Sequence, residues 1–269
     1  MSVSLEGRAV LVVGASAGIG RALAAAAVGD GARVVLAARR KDRLEEAVAE
    51  AGGGHAVVAD ACEDGGCARM VTEATALIGP LDLVVYSAGA APLRPLAETD
   101  ADDWRSVLAT NVVGANELVR AAVGRMAPGG IVAVLSSETV RSPRWGLGAY
   151  GASKAALEAS LRSWRHEVPE VRFSCVAVGQ TFPTGFGAGF GEAELTEAFG
   201  HWGRHGQLQA EFMTPEGVAR TLATTFAVAL AHPDVGVEDL VLRSPSPVAP
   251  TDAWAATVLH ERELPTTEP

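Results

Sequence analysis

The sequence predicts an α/β fold: a doubly wound parallel sheet with helices on both faces. Short apolar, β-branched runs recur without inside–outside alternation, as expected of strands buried on both sides. Helical segments of roughly 10–15 residues separate them, the spacing of right-handed βαβ units. A glycine-rich turn joins the first run to the first helix.

Taken in order, Arg8–Val13 forms the first strand, and an Ala-rich helix runs from the glycine turn to about Val28. Arg33–Ala37, His55–Ala59 and Leu81–Tyr86 are the next strands, with helices over Asp42–Ala51 and Arg69–Ile78. A long helix covers Asp103–Met126, Ile131–Leu135 is the fifth strand, and helix Ala149–Glu167 leads to strand Val171–Val178. Thr181–Phe212 is glycine-rich and then irregularly helical, reading as a substrate lid over residues 181–212. Pro215–Leu230 is a helix with proline in its first turn, and Leu240–Leu242 lies in a weak final strand. Residues 1–243 thus form a single domain, and 244–269 a tail, with Ser244–Pro250 and Leu264–Pro269 loosely ordered around a helix-like Asp252–Glu263.

The 269 residues carry 22 basic and 32 acidic side chains, a formal net charge of -10 that argues against nucleic-acid or anionic-membrane partners. No apolar run approaches a membrane span, and Met1 leads straight into a strand, so no signal peptide is expected. With 3 cysteines, a reducing, cytoplasmic setting is expected. Tyr86 and Tyr150 are the 2 tyrosines, Lys41 and Lys154 the only lysines, and Asn111 and Asn116 the only asparagines. Codon bias accounts for that scarcity. In a chain whose default cation is arginine, a retained lysine points to work that arginine does not do.

Gly14-Ala-Ser16-Ala17-Gly18-Ile19-Gly20 lies between the first strand and helix. Such glycines let backbone N–H groups approach a pyrophosphate at the positive end of a helix. The spacing is G-x-x-x-G-x-G, and a purely structural turn is the plain alternative. About 20 residues on, where an acid would hold a ribose 2′-hydroxyl, the chain has Arg39-Arg40-Lys41 instead. Cations at a helix start call for an anion, and a 2′-phosphate serves, so NADP(H) is expected over NAD(H). Asp60, followed by Ala61, closes the third strand where a carboxylate accepts from an adenine amino group. Ser87-Ala88-Gly89 closes the fourth with residues small enough to admit a ribose.

Tyr150 and Lys154 stand four apart at a helix start and share a face. An ammonium beside a phenol favours phenolate, as does an oxidised nicotinamide, and the tuned phenol exchanges protons with a carbonyl or alcohol oxygen. Ser137 follows the fifth strand, where a hydroxyl donates to the same oxygen. Asn111 and Gly114 are poor mid-helix residues, which points to a local break in which Asn111 holds a water feeding protons to Lys154.

Together these residues resemble the short-chain dehydrogenase/reductase family over roughly residues 5–243. The resemblance implies a Rossmann-type seven-stranded parallel sheet in the order 3-2-1-4-5-6-7 and NAD(P)(H)-dependent carbonyl/alcohol interconversion. It also implies an Asn111–Ser137–Tyr150–Lys154 tetrad. Tyr150 would be the general acid/base, Lys154 would tune it and hold the nicotinamide ribose, Ser137 would orient the carbonyl, and Asn111 would support the relay. Gly179 and Thr181 match the nicotinamide-side loop after the sixth strand, but its usual proline is missing. Ala17 replaces the basic residue often found in the glycine turn of NADP-preferring members, so the 2′-phosphate rests on Arg39 and Arg40. Tyr86-Ser87-Ala88-Gly89 stands where N-N-A-G is usual, and the final strand lacks the usual Asp-Gly-Gly ending.

The resemblance places substrate contacts after Ser137 and in the segment following the sixth strand, here Glu138, Arg141, Trp145, Phe182, Phe186, Phe190 and Trp202, a largely aromatic set, with Gly185–Gly191 as a mobile lid. His201 and His205 lack a third partner at ligand spacing, and Cys62 and Cys67 lack zinc spacing, so no metal site is expected. Ala152, Ala155, Ala156 and Ala159 leave a small-residue helix face suited to a homodimer or homotetramer. The expected activity is NADPH-dependent reduction of a ketone or aldehyde. Its alternatives are alcohol oxidation, reduction of a carrier-bound 3-oxoacyl group, or non-catalytic NADP(H) sensing.

Overall fold

A computed structural model describes residues 3–187 and 189–249. Strands β1 (Ala9–Val13), β2 (Arg33–Ala38), β3 (His55–Val58), β4 (Leu81–Tyr86), β5 (Met126–Ser137), β6 (Arg172–Val178) and β7 (Asp239–Leu242) form a seven-stranded sheet in the order β3-β2-β1-β4-β5-β6-β7. Every pairing is parallel. The order reverses between β1 and β4, which opens a crevice at the strand C-termini.

Helices α1 (Gly18–Gly29), α2 (Lys41–Ala51), α3 (Gly66–Ile78), α4 (Ala101–Leu108), α5 (Ala115–Ala122), α6 (Gly148–Glu167), α7 (Glu192–Arg204) and α8 (Pro215–Ala231) complete the fold. Strand alternation divides the core. Val10 and Val12 pack with Leu23, Leu222 and Phe226 of α1 and α8. Leu11 and Val13 face the opposite layer, with Leu118, Leu157 and Phe173. A third cluster joins Leu93, Leu147 and Tyr150 to Ala198, Trp202, Leu208 and Ala249. Local signals set several boundaries. Asp100 and Asp103 form a capping box at the start of α4, and Thr214 accepts from the Gly217 N–H ahead of α8.

Four expectations change. The long helix over 103–126 is interrupted by a π-helical turn, Ala109–Gly114, where an extra residue enters each hydrogen-bonded loop. β5 begins five residues before Ile131, because Met126 pairs with Leu81 and Gly130 lies against the Leu81 carbonyl, with a register shift before Leu83. β3 ends at Val58, one residue before Ala59, and at the edge that the expected order gives it only Val57 is buried. Residues 244–249 are not loose: Ala249 N–H donates to Leu208 O at 2.8 Å, Ala210 N–H to Pro247 O at 2.9 Å, and Gln209 Nε2 to Ser244 O at 2.9 Å. Asp252–Glu263 and Leu264–Pro269 lie outside the described residues.

Phe226 is fully buried between α8 and the sheet. Replacing it by Ala removes a ring from a close-packed layer, so Phe226→Ala should lower stability by about 3–5 kcal/mol. A urea midpoint close to that of the wild-type chain would contradict this packing.

Candidate active site

The crevice is a cavity of about 690 Å³ lined by the C-terminal ends of the strands, from Val13–Gly14 and Ala38–Arg40 through Ala59–Cys62 and Ser87–Ala90 to Leu135–Ser137 and Val178–Thr181. At its first corner, Gly14 has φ +86° and approaches β4 so closely that a Cβ would lie 2.6 Å from Ala88 N. A Cβ on Gly20 would lie 2.5 Å from the Gly14 carbonyl oxygen. Only glycine folds the turn this tightly. Helix α1 starts at this turn with Ala17 as N-cap, no side-chain cap and no acid in its first turn. Ser16, Ala17, Gly18 and Ile19 line the cavity, and Gly20 locks the turn behind them.

The basic cluster stands beside that helix end. Arg40 Nη2 donates to Ser16 Oγ at 3.1 Å. Partial burial and the neighbouring Arg43 and Arg39 guanidiniums lower the Arg40 pKa, the signature of crowded positive charge. Arg39 is 73% exposed, with Nη1 3.8 Å from Asp60 Oδ2, while Asp60 Oδ1 accepts from Cys62 N–H. Ser16, Arg39, Arg40, Asp60 and Ala61 therefore share one end of the cavity, next to Ser87, Ala88 and Gly89.

At the centre, α6 brings Tyr150 and Lys154 to the ends of β5. Lys154 Nζ donates to Leu135 O at 2.7 Å and lies 5.7 Å from the Tyr150 ring centroid. Ser137 stands beside the Tyr150 phenol, and its Oγ accepts from Thr139 Oγ1 at 2.9 Å. The Phe186 ring lies over Tyr150 at 4.9 Å. The expected depression of the Tyr150 pKa is not what the geometry produces. Burial raises it to about 12 against the lowering by Ser137, and burial lowers Lys154 to about 8.

Asn111 is also placed differently from the expectation. It does not line the cavity; its side chain is fully buried in the π turn. Its Oδ1 accepts from Ala90 N–H at 2.9 Å, and its Nδ2 donates to Ala90 O at 2.8 Å and Ser153 Oγ at 2.9 Å. Ser153 Oγ in turn donates to the Tyr150 carbonyl at 2.7 Å. These amide bonds tie the loop after β4 to α6.

Toward the other end, Phe182, Phe186, Phe190, Phe199, Trp202 and Phe212 line the cavity, as do Gly179 and Thr181. Trp145 and Glu138 do not. Trp145 stacks on His201 at 4.5 Å, and its carbonyl accepts from Trp202 Nε1. A 3₁₀ turn, Glu138–Val140, follows β5, and the Glu138 carboxylate is taken by Arg144 at 2.8 Å and Arg243 at 3.1 Å. Arg141 likewise pairs with Glu158 at 3.5 Å, outside the lining. Gln180 lies between Gly179 and Thr181 in the loop that lacks the usual proline. Its Nε2 donates to Gln207 O at 2.6 Å and its Oε1 accepts from Gln209 N–H at 3.2 Å, so a side chain fixes this loop in place of a ring.

A family model described as short chain dehydrogenase matches residues 8–194. The chain belongs to the short-chain dehydrogenase/reductase family. These enzymes are oxidoreductases acting on CH–OH groups. Glycine betaine reductase ATRR of Emericella nidulans is 34% identical over 226 residues, which cover 81% of this chain and 17% of that protein. NADP-dependent (R)-specific alcohol dehydrogenase of Lentilactobacillus kefiri is 32% identical over 61% of this chain and 67% of its own length. The crystal structure of a dehydrogenase/reductase from Sinorhizobium meliloti 1021 superposes with a TM-score of 0.76 at 27% identity, over 90% of this chain and 95% of that one. No helix among the described residues is long and apolar enough to cross a membrane.

Several residues of this short-chain dehydrogenase/reductase escaped the sequence reading. Tyr86, the second tyrosine, donates to Thr110 O at 2.6 Å and fastens the π turn. Asn116, the second asparagine, donates to Val112 O and Ser160 Oγ and accepts from Trp164 Nε1. Their rarity was the available signal, and it marked supports of the site as well as its chemistry.

Lys154 provides a pH test. Between pH 8 and 10.5 the unfolded chain holds the lysine proton and the folded chain has released it, so this group makes stability rise with pH across that window. Lys154→Met removes the effect. Its stability relative to wild type should be about 3 kcal/mol more favourable at the bottom of the window than at the top. Parallel urea midpoints for the two proteins would show that Lys154 titrates normally.

Proposed function

We propose that this short-chain dehydrogenase/reductase reduces a ketone or aldehyde to an alcohol with NADPH, and that Tyr150 is the proton donor. The observation that carries the reading is one continuous cavity. It runs from the uncapped start of α1 and the Ser16–Arg40 pair, past Tyr150, Ser137 and Lys154, to a wall of aromatic side chains.

The residues present fit a dinucleotide. The α1 N-terminus and the turn from Gly14 to Ile19 would take the pyrophosphate. Arg39, Arg40 and Ser16 would take a 2′-phosphate, with Asp60 and Ala61 beside the adenine. Ser87–Gly89 and Lys154 would border the nicotinamide-side ribose, and Gly179 and Thr181 the nicotinamide. When bound, the cofactor supplies the hydride. The NADP dependence named for the L. kefiri relative supports the same preference.

Tyr150 donates its proton to the carbonyl oxygen as negative charge develops there, and Ser137 Oγ donates a second hydrogen bond to the same atom. Lys154, held by Leu135 O, stabilises the phenolate left behind. Asn111 acts on this group through Ser153 and the α6 backbone as a positioning residue. Burial keeps the phenol in the protonated form that donates in reduction; alcohol oxidation by the same groups is the second reading. The exposed Ala152, Ala155, Ala156 and Ala159 on α6, with Val113 58% exposed on the neighbouring π turn, support a homodimer or homotetramer. Three unpaired cysteines support a cytoplasmic setting.

Screening NADPH oxidation over ketones and aldehydes, with NADH in parallel, tests the activity. Tyr150→Phe should lower kcat by at least about 100-fold, with the NADPH dissociation constant nearly unchanged by fluorescence titration. Full activity in that variant would remove Tyr150 from the mechanism. Arg39→Ala should weaken NADPH about 10-fold or more and leave NADH binding unaltered. Equal losses for the two cofactors would place Arg39 away from the 2′-phosphate.

A further inference from the structure

The cavity is unevenly charged. Among the described residues, its lining includes four cations, Arg39, Arg40, Arg144 and Lys154, and one carboxylate, Asp60. Arg39 and Arg40 stand with Asp60 at the basic end, and Lys154 belongs to the proton-transfer group. Arg144 has no such assignment. It lies between β5 and α6, and its side chain is only 9% exposed.

Arg144 is incompletely paired. Nη2 donates to Glu138 Oε2 at 2.8 Å, while Nε is buried without a hydrogen-bond partner. Glu138 is shared, because its Oε1 also faces Arg243 Nε at 3.1 Å. Two guanidiniums thus divide one carboxylate. Arg243 is 59% exposed, whereas the Arg144 side chain is buried. Burial works against its charge, lowering its pKa despite Glu138. A buried cation with an unused N–H is costly unless an anion reaches it. The lining beside it is otherwise apolar or already bonded: Leu147, Trp202 and Leu208 belong to the third core cluster, and both polar atoms of Gln180 are engaged in holding the 207–209 segment.

We infer that Arg144 binds a carboxylate on the substrate, so that the carbonyl compound this enzyme reduces is an aromatic or bulky apolar oxo-acid. The inference rests on the reductase reading for the fate of the carbonyl, but the Arg144 site is testable by binding alone. The aromatic wall takes the body of the molecule, and Arg144 takes its charged end. Glu138 serves as the internal counter-charge that holds the guanidinium in place.

Matched probes isolate the charge: 3- and 4-formylbenzoate against their methyl esters. They are titrated calorimetrically into the full-length protein with and without NADP⁺, and NADPH oxidation is followed separately. At least one acid should bind tenfold or more tightly than its ester. Arg144→Met should bring acid and ester within twofold, and Arg144→Lys should retain part of the preference. Glu138→Gln, which frees the guanidinium, should enlarge it. Because Arg144→Met leaves Glu138 alone with Arg243, the Glu138→Gln/Arg144→Met double variant is measured beside it, with circular dichroism and cofactor affinity as checks on folding. An acid bound no better than its ester, an acid–ester ratio unmoved in the Met variants, or no measurable binding of any probe overturns the assignment. An acid preference that depends on Arg144 without NADPH oxidation overturns the reductase reading alone. Turnover indifferent to the carboxylate overturns only the role of Arg144.

Discussion

The site depends on one buried amide. Asn111 accepts from and donates to the backbone of Ala90, and with its remaining N–H it reaches Ser153, which holds the Tyr150 carbonyl. This couples the loop after β4 to the helix carrying Tyr150 and Lys154. A regular α-helix through 109–114 would alter the direction of that side chain; the π turn sets it. Tyr86 and Asn116 fasten the turn from the β4 and α6 sides. Removing one group from so connected a buried network would leave several polar atoms unpaired at once. The geometry of the candidate site is therefore a property of a helix irregularity and its buttresses.

Electrostatics divide along the same line. The chain carries a net charge of -10, yet its cavity presents four cations against one carboxylate. Acidic surface keeps a polyanion such as nucleic acid away, while a small anion that enters the crevice meets concentrated positive charge. At Tyr150 and Lys154 burial governs the titrations: it raises the phenol and lowers the ammonium. Both shifts oppose charge separation in a closed, apolar surrounding, and Phe186 over the ring is part of that closure.

Much of this was legible in the residues. Buried parallel strands announce themselves as unbroken apolar runs, and tight glycine turns leave a spacing in the chain. Tyr150, Lys154 and Asn111 stood out because their residue types are scarce. The illegible parts depend on packing that no local pattern encodes. Arg144 resembles any other of the many arginines until its burial is known. Glu138 and Trp145 lie beside Ser137 and Tyr150 in sequence, but the 3₁₀ turn after β5 gives the carboxylate to two arginines, and the indole stacks on His201. Ser244–Pro250 has the composition of a loose tail, whereas residues 244–249 are ordered by pairing to 208–211, to which composition is blind.

That pairing constrains how the cavity can open. Phe182 N–H donates to Met213 O, Met213 N–H donates to Gln180 O, and Leu208–Glu211 is laced to Ser244–Ala249. The covering segment is stitched down along its C-terminal side as well as at its start. Between those seams α7 is held by a further bond, from Trp202 Nε1 to Trp145 O, and by Ala198 and Trp202 in the third core cluster. The wall that carries Phe186 and Phe190 is thus bordered by a cover fastened on both sides and along α7.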